Sequence, residues 1–179
     1  MPNFQKKWIL GQWSYTLFYA IKSLFARNLL FVSNLHEKRW RSDNVFKKAK
    51  DLKEKFILKK NIDFLVVDFH GEITSEKMAM GHFFDGSTTC LVGTHTHVPT
   101  ADTRILDNGT AYQTDIGMCG DYNSVIGMNK ENSVKKFLKE KDVEKNFPSE
   151  GTGTLSGLII DCDQNTGLAK NVNRLILGG

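Results

Sequence analysis

Two stretches decide how this chain folds: Val67-Asp68-Phe69-His70-Gly71-Glu72 and Val92-Gly93-Thr94-His95-Thr96-His97-Val98. Each follows a short apolar run that predicts a buried strand, Phe64-Leu65-Val66-Val67 in the first case and Cys90-Leu91-Val92 in the second. Both strands therefore end in a loop that carries histidine. In α/β proteins, ligands and metals bind at the carboxyl ends of the strands. The pattern predicts three histidines at one edge of a sheet, which favours a metal site.

The spacing of the histidines agrees with a metal site. His95 and His97 are two residues apart, so on extended backbone both side chains leave the same face, with Cα atoms about 6.6–7 Å apart. That separation suits two neighbouring ions, whose centres lie about 3.5–4 Å apart in two-metal clusters. Asp68 and Glu72 flank His70, and either carboxylate can orient an imidazole through its second nitrogen. The alternative is that the histidines bond backbone groups at the strand ends and the carboxylates lie on the surface.

Longer motifs carry a family resemblance. From about residue 61 to residue 179 the chain resembles the carboxyl-terminal half of the YmdB-like metallophosphoesterases, a branch of the calcineurin-like phosphoesterases. Besides the two histidine stretches, the matching segments are Thr74-Ser75-Glu76-Lys77-Met78-Ala79, Val98-Pro99-Thr100-Ala101-Asp102, Gly109-Thr110-Ala111-Tyr112-Gln113-Thr114-Asp115-Ile116-Gly117-Met118 and Val125-Ile126-Gly127-Met128. Several motifs in the family's order are far more specific than any one of them.

The resemblance implies a site for two ions, typically iron or manganese, that hydrolyses phosphodiesters, including cyclic nucleotides. Carried over to this chain, His70 and His95 share one ion and His97 binds the other. In two-metal sites the ions neutralise phosphate charge and lower the pKa of a bridging water. The resemblance thus implies a metal-dependent phosphodiesterase of α/β fold.

The chain departs from the family in its first 60 residues. The family's first half supplies an Asp in a GD loop, a Glu and an Asn in a GEN motif, and a proton-donating His in a GNH motif. Residues 1–60 contain no Gly-Asp, and neither Gly-Glu-Asn nor Gly-Asn-His occurs anywhere in the chain. The only histidine of this region is His36, which no Asn precedes. We therefore identify no catalytic residue, and we expect at most one bound ion because the second position has only His97.

Charge divides the chain into two parts. Residues 1–60 contain 14 Lys and Arg against 4 Asp and Glu, whereas residues 61–179 contain 10 against 16. We predict a divergent basic segment over residues 1–45, a remnant of the missing or degraded amino-terminal half, followed by the carboxyl-terminal half of a metallophosphoesterase domain over residues 46–179. A basic segment can bind nucleic acid, but the dispersed Trp8, Trp13 and Trp40 form no recognisable platform for bases, so we consider nucleic acid an improbable partner.

Periodicity predicts the remaining elements. Residues 43–56 are expected to form a helix capped by Asp43, residues 75–82 a short helix or turn, and residues 130–141 a charged helix. Residues 155–161 and 172–177 form a good hairpin candidate. Residues 11–18 and 28–35 faintly resemble two further strands. Strands alternating with helices and followed by a hairpin indicate a mixed-sheet α/β sandwich.

Three functions fit these features. The first is a truncated member of the phosphodiesterase family that is inactive alone; the second is an active hydrolase completed by a separately encoded amino-terminal half. The third is a non-catalytic module that binds metal or nucleic acid.

An uncovered sheet edge predicts a homo-oligomer or poor solubility. The uncharged run over residues 8–21 is too short for a membrane span, and three scattered cysteines suit a reducing cytoplasm.

Overall fold

Two β-sheets and three helices build the described part of the chain. The computed structural model describes residues 7–11, 29–36, 45–141, 143 and 149–179. The strands and helices are β1 (Lys7–Gly11), β2 (Leu29–His36), α1 (Val45–Lys55), β3 (Phe64–His70), α2 (Thr74–Phe84), β4 (Cys90–Thr94), β5 (Arg104–Ile105), β6 (Ala111–Gln113), β7 (Gly120–Asp121), α3 (Lys130–Phe137), β8 (Gly153–Cys162) and β9 (Ala169–Gly178). Among these residues, every helix is too short or too polar to cross a bilayer.

The first sheet is mostly parallel and carries both histidine stretches. Its strand order is β2-β3-β4-β6-β5, and only the short β5 runs antiparallel to its neighbour. Every residue of β4 is buried, as are six of the seven residues of β3, which is the pattern of parallel strands covered on both faces. In the register of β3 and β4, His70 lies beside Thr94. The two loops therefore start side by side.

The second sheet is antiparallel and is organised around the long strand β8. Strand β9 pairs with one edge of β8, while β1 and β7 pair with the other. The predicted hairpin is thus confirmed. Its turn begins at Asp163, whose carboxylate accepts hydrogen bonds from the backbone of Asn165 and Thr166 and pairs with Lys170 at 2.7 Å.

The sheets and helices form three layers. Alternate residues of β3 and β4, such as Phe64, Val66 and Val92, pack against Leu158 and Ile160 of β8. The intervening residues of these strands pack on the opposite face against the buried side chains of α1 and α2, namely Val45, Ala49, Met80 and Phe84. The two-residue period of a strand thus builds a separate core on each face. This arrangement confirms the mixed-sheet α/β sandwich.

The predicted helices are present, with shifted ends. Helix α1 spans Val45–Lys55, and its expected cap, Asp43, lies outside the described residues. Helix α2 spans Thr74–Phe84 and starts after Ile73, without a side-chain cap. Helix α3 stops at Phe137 instead of continuing to residue 141, because Lys139 adopts a positive φ of 56° that no α-helix continues.

The predicted strand over residues 28–35 corresponds to β2, which pairs with β3 and ends at His36, beside His70 in register. The strand predicted over residues 11–18 lies, apart from Gly11, outside the described residues. The backbone of β1 and β2 thus belongs to the two sheets, one strand in each.

Candidate metal centre

Two strand ends bring His70 and His95 together. His70 is the last residue of β3, and His95 follows the last residue of β4. The Nε2 atom of His70 lies 3.2 Å from the Nδ1 atom of His95, and the two rings meet edge to face with centroids 5.1 Å apart. His70 is half-buried and His95 is exposed, so the pair opens to solvent. The two nitrogens therefore lie within hydrogen-bond distance of each other at an edge of the sheet that is open to solvent.

A hydroxyl on the other side of His70 determines its tautomer. Thr94 Oγ1 donates to Asp68 Oδ1 at 2.8 Å and also lies 3.1 Å from His70 Nδ1. Because the hydroxyl donates its single proton to the carboxylate, the oxygen of Thr94 accepts the Nδ1 proton of His70. Nε2 of His70 then carries the lone pair that faces His95. This is the arrangement of a metal-binding histidine whose other nitrogen is held by a hydrogen bond.

His97 is held by a different loop. Its Nδ1 atom lies 3.0 Å from the backbone carbonyl oxygen of Ile126. Because a carbonyl oxygen only accepts, Nδ1 of His97 is the donor, and in the neutral ring Nε2 carries the lone pair. Ile126 and Gly127 both have positive φ, 50° and 93°, so a sharp turn presents this carbonyl to the histidine.

The predicted ligands assemble only in part. Two nitrogens bound to neighbouring positions of one ion at about 2.0–2.1 Å lie about 2.9–3.4 Å apart, which matches the 3.2 Å between His70 and His95. In the part of the chain that the structure describes, no three His, Cys, Asp or Glu side chains form a group that could hold an ion. His97 therefore does not complete a three-residue group with the pair. Glu72 is exposed and makes no hydrogen bond or ion pair with the described residues.

A network of hydrogen bonds supports the segment that follows the histidines. Asp102 accepts hydrogen bonds from the hydroxyls of Thr100 and Thr114, both at 2.6 Å. Partial burial raises the pKa of Asp102, but these hydrogen bonds outweigh burial, so the pKa of this carboxyl lies below its ordinary value. Arg104 pairs with Asp102 at 3.4 Å and lies over the ring of Tyr112. Asp102 and Arg104 thus support the segment that follows the histidines.

Two partners of the histidines, Thr94 and the carbonyl of Ile126, were not predicted from the sequence. Thr94 could have been found, because parallel register places the residue before His95 beside the last residue of the preceding strand. The loop around Met118 approaches the histidines, since the Met118 amide donates to the carbonyl of His97 at 3.1 Å.

Known proteins resemble this chain in sequence. The profile of the family described as "YmdB-like protein" matches residues 17–175. The chain is 46% identical over 118 residues to the "2',3'-cyclic-nucleotide 2'-phosphodiesterase" of Bacillus subtilis (strain 168), which covers 66% of this chain and 44% of that protein. It is 45% identical over 129 residues to a "Putative phosphatase/phosphodiesterase" of Mycoplasma pneumoniae, and the match covers 71% of this chain and 44% of that protein. The chain thus spans less than half the length of these relatives.

Solved structures share the fold. A hypothetical protein from Thermus thermophilus superposes with a TM-score of 0.71 at 32% identity, covering 84% of this chain and 57% of that one. A novel phosphatase from Mycoplasma pneumoniae superposes with a TM-score of 0.70 at 37% identity. The superposition covers 84% of this chain and 52% of that one.

The fold is therefore an α/β fold of the metallophosphoesterase type. The chain belongs to the YmdB-like metallophosphoesterase family, because the family profile matches most of its length. Relatives in this family are named as phosphodiesterases or phosphatases, and membership implies a metal cofactor. The match begins at residue 17, so it includes β2, upstream of the motifs that first indicated the family.

Proposed function

We propose that this chain binds one metal ion between His70 and His95, at one half of the family's two-ion centre. The observation that carries this proposal is the 3.2 Å separation of His70 Nε2 and His95 Nδ1, with a tautomer of His70 that turns a lone pair towards His95. Iron or manganese is the ion we propose, as the family resemblance implies. His97 corresponds to the family's second ion position, which we expect to stay empty because His97 is its one identified ligand. Its ring is oriented through Ile126.

The role of the two flanking carboxylates forms part of this proposal. Asp68 is buried and acts on His70 through the hydroxyl of Thr94, which supports a role in orienting the imidazole. The same role for Glu72 stays a prediction, since its exposed carboxylate makes no contact with a histidine among the described residues.

We further propose that the chain alone does not hydrolyse phosphodiesters. In two-metal enzymes, the ions clamp the phosphate and activate the attacking water. Here the second ion would have only His97, and the family's GD, GEN and GNH motifs are absent from residues 1–60. The missing proton donor alone is typically worth about 10²–10⁴-fold in rate. The chain therefore keeps the histidine ligands of the centre but lacks the groups that would complete the second ion site and donate the proton.

The second candidate is an active hydrolase completed by a separately encoded amino-terminal half. It is supported by the relative from Bacillus subtilis, whose name specifies a 2',3'-cyclic-nucleotide 2'-phosphodiesterase. A phosphodiester of this kind is the substrate we propose for the completed enzyme. A cytoplasmic location remains our proposal, supported by three buried cysteines, none of which forms a disulfide.

Manganese binding tests the proposed ion site. Titration of the purified chain, followed by loss of the electron paramagnetic resonance signal of free Mn²⁺, should show one bound ion. His95→Ala should abolish this binding, because it removes one of two nitrogens. His82→Ala is the matched control, since His82 is also exposed but lies on α2. Equal Mn²⁺ affinity in the wild type and His95→Ala would overturn the proposal.

Turnover separates the two candidates. The isolated chain should show no metal-dependent hydrolysis of bis-p-nitrophenyl phosphate or of 2',3'-cyclic nucleotides with iron, manganese or zinc. Metal-dependent turnover that is lost in His95→Ala would contradict inactivity and would mean that residues 1–60 supply ligands. Turnover that appears only after addition of a separately expressed amino-terminal half of a relative would favour the completed enzyme.

A further inference from the structure

A buried ion pair lies beneath the two histidine loops. Lys77 Nζ lies 3.2 Å from Asp115 Oδ2, and both side chains are fully buried, with 0% exposure each. We infer that Lys77 and Asp115 are positioning residues, which act through the backbone of Thr96 to hold His95 and His97 in their binding orientation. This inference rests on the proposed metal site and adds two residues that are not among its proposed ligands.

The carboxylate of Asp115 binds the histidine loop directly. Its Oδ2 atom accepts a hydrogen bond of 2.9 Å from the backbone amide of Thr96, the residue between the two histidines. Its Oδ1 atom accepts a hydrogen bond of 3.0 Å from the amide of Gly117. The neighbouring Met118 amide donates in turn to the carbonyl of His97. One carboxylate therefore secures the histidine loop and the adjacent Gly117 loop together.

The backbone of the histidine loop needs such support. His95 has a φ of 143° and His97 a φ of 66°, both in the positive range that residues with a Cβ atom seldom adopt. Such conformations are unfavourable and persist only where surrounding contacts enforce them. Thr96 lies between these two residues, and its amide is the group that Asp115 binds. The bond therefore acts where the strained backbone would otherwise relax.

Lys77 connects this carboxylate to the first histidine loop. Lys77 lies in α2, which begins four residues after His70. A Cβ atom added to Gly93 would lie 2.7 Å from Lys77 Cδ, and one added to Gly71 would lie 3.7 Å from Lys77 Cγ. The aliphatic stem of Lys77 thus passes close to the backbone of both histidine-bearing segments, and its ammonium group meets Asp115 behind them.

Stability alone gives little reason for such a pair. Burying two charges has a large desolvation cost, and replacing a buried ion pair with apolar residues of similar volume is often neutral or stabilising. An apolar pair, however, would leave the amides of Thr96 and Gly117 without their acceptor. Replacing both residues with apolar ones should therefore change the geometry of the histidine loop while largely keeping the stability of the fold.

The test compares the wild type with Asp115→Leu and with the double variant Lys77→Met/Asp115→Leu. The single variant leaves Lys77 buried without a partner and should be strongly destabilised. The double variant should recover stability in chemical denaturation, yet bind Mn²⁺ about 10–100-fold more weakly than the wild type, as expected when a group that orients metal ligands is lost. In the double variant the Thr96 amide should exchange with solvent about tenfold faster, because its acceptor is gone.

Thr89→Val is the matched control. Thr89 is buried just before the opposite end of β4, and its hydroxyl donates to the carbonyl of Gly167 at 2.6 Å. Its replacement should lower stability without changing Mn²⁺ affinity or Thr96 exchange. Recovery of stability, Mn²⁺ affinity and Thr96 protection together in the double variant would overturn the inference. Absence of Mn²⁺ binding in the wild type would instead refute the proposed site, and Thr96 exchange would still decide the role of the pair.

Discussion

Thr94 donates a hydrogen bond of 2.8 Å to Asp68, and this bond decides which nitrogen of His70 carries the proton. The hydroxyl has no second proton to offer, so its oxygen can only accept from Nδ1 of His70, 3.1 Å away. The lone pair of His70 consequently lies on Nε2, which faces His95. A residue outside the proposed ligand set thereby determines which nitrogen of its neighbour can bind an ion.

Thr94→Val should disturb this tautomer without changing the shape of the core. The methyl group that replaces the hydroxyl offers His70 no acceptor, so both neutral tautomers should become populated. We expect Mn²⁺ affinity to fall about 10–100-fold, the usual effect of losing a group that orients a ligand. Nitrogen-15 spectra of the histidine rings report the tautomer directly.

Thr94→Ser is the matched control for this change, because it keeps the hydroxyl and should keep both the Nδ1-protonated form and the affinity. A wild-type spectrum with His70 protonated on Nε2 in the metal-free state would show that the inferred relay is wrong.

Gly93→Ala should unfold or strongly destabilise the chain. A Cβ atom at this position would overlap the backbone carbonyl of Thr114 and crowd the stem of Lys77. Because the overlapping atom belongs to the backbone, no rotamer change relieves the clash. We expect the free energy of unfolding to fall by about 3 kcal/mol or more.

Gly153→Ala provides the comparison, since a Cβ atom there meets nothing within 4 Å. Its effect on the free energy of unfolding should be no more than about 1 kcal/mol. Urea denaturation measures both variants. Similar stability of the two would contradict the close approach between β4 and the Thr114 backbone.

The hydrogen bonds to Asp102 predict a loss of stability in acid. Burial raises the pKa of this carboxyl, but the bonds from Thr100 and Thr114 outweigh burial, so the pKa in the folded chain lies below its ordinary value. A carboxyl group whose pKa is lower in the folded chain than in the unfolded chain, where it is about 3.9, stabilises the fold when it is ionised. This stabilisation is present above the unfolded pKa and is lost as the pH falls through the folded pKa. The stability difference between wild type and Asp102→Asn should therefore shrink below about pH 4.

Denaturation curves between neutral and strongly acid pH measure this difference. Asp107→Asn is the control, because Asp107 is exposed and its side chain makes no hydrogen bond with the described residues. That variant keeps Asp102 and should therefore lose stability in acid as the wild type does. A constant gap between wild type and Asp102→Asn down to the lowest pH would refute the prediction.

The strands and the pair of histidines were predictable because they follow from local pattern. The apolar runs before His70 and His95 identify β3 and β4, and parallel pairing of these strands is enough to place both histidines at one edge. The hairpin of β8 and β9 was predictable for the same reason. These features depend on residue types within a few positions of one another.

The supports of the site were not predictable from local pattern. Lys77 and Asp115 are 38 residues apart, and a lysine on a short helix is ordinarily a surface residue. A side chain at Gly93 would crowd the stem of Lys77, and a periodicity argument does not register that close approach. The carbonyl of Ile126 carries no side-chain signal at all, since its role comes from a turn with two positive φ values.

Metal should stabilise the fold through His95 but not through His97. A ligand that binds only the folded state at a free concentration of 100 times its Kd stabilises it by about 2.7 kcal/mol. We expect Mn²⁺ to raise the melting temperature of the wild type and a chelator to reverse the shift.

His95→Ala should show no shift, because it removes one member of the pair whose nitrogens lie 3.2 Å apart. His97→Ala should keep the shift, because His97 is oriented by Ile126 and belongs to no three-residue group with that pair in the described part of the chain. Loss of the shift in His97→Ala to the same extent as in His95→Ala would mean that all three histidines hold one ion.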